Sequence, residues 1–130
     1  METYVRLKIG SNNKTPDEIS NTLGIKSDRS WVVGDLRPHT IIKEKSNGWV
    51  LNSRLDKTTS LETQISDLFQ QIGSRTHVIR DMSRSNSVEI SCVIYSSGAP
   101  PLYFDRSVIE QIHDIGGNLD IDLHEIRING

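Results

Sequence analysis

Val88-Glu89-Ile90-Ser91-Cys92-Val93-Ile94-Tyr95, VEISCVIY, is the stretch that decides how this chain folds. Val88, Ile90, Cys92 and Ile94 alternate with Glu89, Ser91, Val93 and Tyr95, a period of two that turns one wholly apolar face toward a core. The loop Ser96-Ser97-Gly98-Ala99-Pro100-Pro101 follows it. A helix is then expected from Asp105, carrying Val108, Ile109, Ile112 and Ile115 and stopped by Gly116-Gly117. Leu119–Leu123 alternates again, with Leu119, Ile121 and Leu123 inward and Asp120 and Asp122 outward. The last third therefore reads strand, helix, strand.

The first third repeats that order. In Thr3–Ile9, Val5, Leu7 and Ile9 alternate with Arg6 and Lys8. Thr15-Pro16-Asp17-Glu18 begins a helix: Thr15 caps free N–H groups, Pro16 suits the first helical position and Glu18 completes a capping box. Ile19 and Leu23 supply its core side, and Gly24 ends it in a left-handed conformation.

Between the two units, Ser30–Val33, Thr40–Lys43 and Gly48–Asn52 read as short strands, with Asn47-Gly48 as a turn signal. A second capping box, Thr59-x-x-Glu62, opens a helix whose Leu61, Ile65, Leu68, Phe69 and Ile72 form one apolar stripe up to Gly73. Ser74–Arg84 continues as another helix. The expected architecture is one α+β domain over residues 1–130, a mainly antiparallel sheet with helices on one face, and a ferredoxin-like split βαβ as the favoured topology. That topology makes the first and last strands neighbours, with Arg6 and Lys8 across from Asp120 and Asp122.

Composition narrows the function classes. With 35% hydrophobic and 25% charged residues, the 130-residue chain has the balance of a globular domain with one core. Its longest apolar runs are too short to cross a bilayer, and the start METYVRLKIG lacks the apolar segment of a signal peptide; both point to the cytoplasm. The single cysteine, Cys92, allows no internal disulfide and suits a reducing compartment. Net charge is −2, yet the last thirty residues hold Asp105, Glu110, Asp114, Asp120, Asp122 and Glu125 against only Arg106 and Arg127. No basic patch stands out, which argues against nucleic acid as a partner.

Two constellations carry candidate chemistry. Asp120-x-Asp122-x-His124 puts two carboxylates and an imidazole on one face of a strand, roughly 6–7 Å apart, as a divalent metal or acid–base pair would require. One row along one strand supplies only part of such a site, and a wet strand face explains it as well. Ser30-Trp31-Val32-Val33-Gly34-Asp35-Leu36-Arg37-Pro38 is the other, a corner where Trp31, Asp35 and Arg37 meet a tight turn. If its strand pairs with Gly48-Trp49-Val50-Leu51, Trp49 joins Trp31 with Asp35 and Arg37 at the rim, a pocket or a structural corner. His39, His77 and His113 are scattered, and Cys92 belongs to an apolar row that suits packing rather than nucleophilic attack. The chain has no GxSxG, Walker-type or GxGxxG motif, so no cofactor is expected.

The order of YVRLKI, PDEIS–LGI, W-x-x-GD, GW-x-L, SCVIYS and LDIDL resembles the bacterial domain of unknown function 4279, from Tyr4 to about Leu123. In that family the closing strand tends to end in an aromatic residue, where this chain has His124. The resemblance implies a small cytoplasmic bacterial protein and brings no activity or catalytic residue with it. The favoured reading is a non-enzymatic protein-binding domain, by analogy an immunity protein whose acidic end meets a basic toxin domain; self-association is the other partner considered. The alternative is a small-ligand binder or metal-dependent enzyme built on the Trp31/Asp35/Arg37 corner or the Asp120/Asp122/His124 row.

Overall fold

The computed structural model describes residues 1–127. Strand β1 (Glu2–Ser11) lies at the centre of a five-stranded sheet, between β3 (Asn47–Asn52) and β4 (Ser87–Ser96). Strand β2 (Arg29–Trp31) forms one edge beside β3, and β5 (Asn118–Glu125) forms the other beside β4. Every pairing is antiparallel except β4–β5, which is parallel and joined through helix α4 (Arg106–Asp114). Such a crossover is what a parallel neighbour requires, because a tight hairpin can only reverse the chain.

The α+β expectation holds, with helices α1 (Pro16–Leu23), α2 (Leu61–Ile72) and α3 (Thr76–Met82) joining α4 over one core. Val5, Leu7 and Ile9 of β1, Trp49 and Leu51 of β3, and Val88, Ile90, Cys92 and Ile94 of β4 supply the sheet side of that core. Ile19, Leu23, Ile65, Leu68, Ile72, Ile79, Ile112 and Ile115 fill it from the helices. Each such residue contributes about 1.5–3 kcal/mol by leaving water. Trp49 is the largest of them, and its indole N–H donates to Ser20 Oγ at 2.9 Å, so its one polar atom is satisfied inside. Among the described residues no helix is long and apolar enough to cross a membrane.

Local signals explain the helix ends. Thr15 Oγ1 accepts from Glu18 N–H, Glu18 answers toward Thr15, and Gly24 closes α1 at φ 67°. In α2 the cap falls one residue later than expected: Ser60, not Thr59, accepts the N–H of Thr63. Thr59 is instead held in a turn, its N–H on the carbonyl of Asp56.

Three expectations need correction. The last strand does not neighbour the first: β4 stands between them, and Arg6 and Asp120 both face Ser91 from opposite sides. The proposed Arg6/Lys8 pairing with Asp120/Asp122 is therefore absent. Thr40–Lys43 is not a strand either; residues 32–45 form an exposed arm whose two limbs are joined by the backbone bonds of Gly34 and Asp35 with Glu44 and of Arg37 with Ile42, around one isolated Leu36–Lys43 bridge. Its Val33, Leu36, Ile41 and Ile42 are exposed, so no core reward extends the ladder.

Finally, Asn47-Gly48 opens β3 instead of turning. Asn47 accepts from Val33 N–H and donates to the carbonyl of Lys14, tying arm, strand and loop together. Gly48 lies under the Trp31 ring, where an added Cβ would come within 2.0 Å of Trp31 Cε2.

Candidate functional site

All four helices pack on one side of the sheet, which leaves the other side open. Strand alternation decides what that open face displays. The odd residues of β1 enter the core, so Tyr4, Arg6 and Lys8 point away from it. Register then lines up their neighbours. Arg29, Val50, Lys8, Glu89 and Asn118 form one row across the sheet; Asn52, Arg6, Ser91 and Asp120 form the next. Tyr4, Val93 and Asp122 follow, and then Glu2, Tyr95 and His124.

Charge is divided along these rows. Arg29, Arg6 and Lys8 occupy β2 and β1, whereas Glu89, Asp120 and Asp122 occupy β4 and β5. The face is thus basic on one half and acidic on the other, and within the basic half Val50, only 2% exposed, lies between Arg29 and Lys8. The β5 end is also aromatic. Tyr95 stacks on His124, ring centres 4.8 Å apart and 17° from parallel, and meets the edge of Tyr4 at 6.1 Å. His124 Nε2 lies 3.1 Å from Asp122 Oδ2, which orients the ring over Tyr95. Tyr4 donates to Glu2, whose other oxygen meets Lys57 Nζ at 3.1 Å. The bonds from Lys57 and Tyr4 hold the Glu2 carboxyl below its ordinary range, and the bond to Glu2 raises the Tyr4 phenol. A shallow depression of about 430 Å³ lies among Glu2, Tyr4, Arg6, Val93, Tyr95 and Ile126.

At the opposite end Trp31 lies flat on Gly48 with Arg29 over its ring at 5.1 Å, a cation–π contact. Its indole N–H is buried with no hydrogen-bond partner. Trp31 also walls a recess of about 210 Å³ shared with Lys8, Glu89 and Asn118.

The structure brings together some of the candidate residues and separates the rest. Trp31, Asp120, Asp122 and His124 all lie on the open face, Trp31 at one edge and the others at the far edge. Trp49 does not join Trp31. The two occupy successive positions in the β2–β3 ladder, Trp31 opposite Gly48 and Ser30 opposite Trp49, and so project to opposite faces. Asp35 and Arg37 serve the arm: Asp35 Oδ2 accepts from Val32 N–H at 2.9 Å, and Arg37 Nε reaches Glu44 at 3.5 Å. Among the described residues no three carboxylate, imidazole or thiol groups converge as metal ligands would.

The expectation that Leu119 and Leu123 are packed inward is corrected too. They point to the helix side yet stay 37% and 49% exposed at the sheet's outer edge, and of this strand's apolar row only Ile121 packs against the core. Ile109 of α4 is exposed as well, leaving Val108, Ile112 and Ile115 to make the contact.

Tyr4, Glu89 and Tyr95 are the site residues that sequence reasoning passed over. The signal was present as the polar half of each alternating strand, but only the pairing order places those halves side by side.

No curated protein and no solved structure matches the chain. The family model of a domain of unknown function, DUF4279, matches residues 1–125, and with that span covering every described helix and strand, the chain belongs to this family.

Proposed function

We propose that this domain is a non-enzymatic protein-binding module whose partner presents basic residues to the β4–β5 half of the open sheet face. One observation carries the reading: Glu89, Asp120 and Asp122 share that half with the Tyr95–His124 stack, which Tyr4 of β1 meets edge-on. Carboxylates steer a cationic partner, and tyrosines offer large contact area at small entropic cost. A toxin-neutralising immunity protein, acting in the cytoplasm on a basic toxin domain, is the specific form we favour.

A photo-crosslinking residue in place of Tyr95, with a second at Glu62 on the helical side as control, tests this in the source cell. A single protein adduct at position 95, absent at position 62 and lost on Asp120→Lys/Asp122→Lys, is the expected result. Equal adducts at both positions, or none at 95, would refute it. The rival reading, a small-ligand site, draws on the depression beside Tyr4 and Tyr95. It predicts a rise in Tm with a metabolite or metal that the Tyr95→Ala variant no longer shows.

A further inference from the structure

We propose that the free edge of β5 accepts an extended segment of the protein partner as a sixth strand, and that this segment alternates basic with apolar residues. The inference rests on the protein-binding reading above and specifies its mode and the partner's chemistry.

The two edges of the sheet differ in kind. Strand β2 is three residues long and leads into the arm, so it offers little backbone to pair. Strand β5 runs for eight residues, Asn118–Glu125, in unbroken register with β4 and with no proline, glycine or bulge. Among the described residues nothing pairs with its outer side. Such an edge presents a row of unpaired N–H and C=O groups, which proteins ordinarily blunt by shortening, kinking or covering.

Charge is the one device here, and its sign is informative. The register that would align the apolar residues of two β5 strands head to tail is centred on Ile121. It puts Asp120 of each copy against Asp122 of the other, a like-charge match on both sides. The edge therefore disfavours a second copy of itself and favours a strand carrying Lys or Arg beside Asp120 and Asp122. The other side of β5 imposes the alternation. Leu119 and Leu123 are exposed and Ile121 half-buried on the helix side, so the residues between the basic ones would be apolar. Glu89, one strand further in, adds to the negative field on the basic side.

The test uses the full chain and a fluorescent eight-residue peptide alternating Lys and Val. Two further versions carry N-methyl groups on the odd or the even residues, each blocking hydrogen bonds along one edge of the peptide while keeping its charges. Strand addition predicts saturable binding of the parent and loss of binding for at least one N-methylated version. It also predicts about tenfold weaker binding to Asp120→Lys/Asp122→Lys, with circular dichroism confirming that variant folded. A Glu/Val peptide should not bind. No binding of the parent, or equal binding of all three Lys/Val versions, overturns the strand-addition inference. Equal binding that is still lost on charge reversal would do so while leaving the acidic protein-binding face intact.

Discussion

Gln64 offers the sharpest test of how this sheet is completed. Strand β1 extends to Glu2, but β3 stops at Asn52, so the outer half of β1 has no strand on that side. Residues 53–64 replace it. Ser53 N–H donates to the carbonyl of Val5, Thr3 N–H donates to the carbonyl of Lys57, and Gln64 Nε2 donates to the carbonyl of Thr3 at 2.8 Å. The same amide also reaches the carbonyl of Thr59 at 3.1 Å. Gln64 is 1% exposed, so its loss leaves the Thr3 carbonyl without water to replace it.

Gln64→Met keeps the volume and removes the donors. An orphaned buried acceptor costs about 1–3 kcal/mol, and for a domain of this size about 2 kcal/mol lowers Tm by roughly 6–10 °C. Gln64→Glu is harsher at neutral pH, because a carboxylate would face carbonyl oxygens. Its folded-state pKa should rise above the ordinary value of about 4.3. The native state then binds the extra proton, so stability relative to Gln64→Met is greatest in acid and falls as pH rises toward the raised pKa. Urea unfolding of both variants between pH 4 and 8 measures this. A Gln64→Met variant as stable as the parent, with a Gln64→Glu variant showing no pH-dependent difference from it, would refute the account.

Gly48→Ala should lift the Trp31 indole, since the added Cβ would overlap the ring; about 1–3 kcal/mol of stability is lost, and red-shifted, more quenchable tryptophan emission reports it. Unchanged quenching would show that Trp31 does not lie on Gly48. The Cys92 thiol is fully buried, and burial, reinforced by Asp120 and Glu89, pushes its pKa up to about 12. Disulfide reagents at pH 8 should therefore leave it unmodified in the native protein and modify it on unfolding in urea. Rapid native labelling would contradict that placement.

Much of the fold was legible because local chemistry and tertiary need agreed. The Thr15–Glu18 box, Gly24, the α2 stripe and the alternation of Val88–Ile94 each have a single comfortable solution in isolation, and the chain adopts it. Where neighbours compete, the local signal failed. Asn47-Gly48 carries a turn signature, yet Asn47 finds partners at Val33 and Lys14, and Gly48 makes room for an indole from the next strand. Leu119 and Leu123 alternate like core residues but fall on the sheet's outer edge, where they stay exposed.

The candidate site divides in the same way. By itself the sequence determined which residues share a strand face: Asp120, Asp122 and His124 on one, Arg6 and Lys8 on another. Strand alternation is a property of each backbone segment and needs no partner. Only the tertiary structure decided which strands lie side by side, because pairing order depends on where helices can bury their apolar stripes. That order placed β4 between Arg6 and Asp120, turned Trp49 into the core while Trp31 stayed on the open face, and left β5 with a free edge.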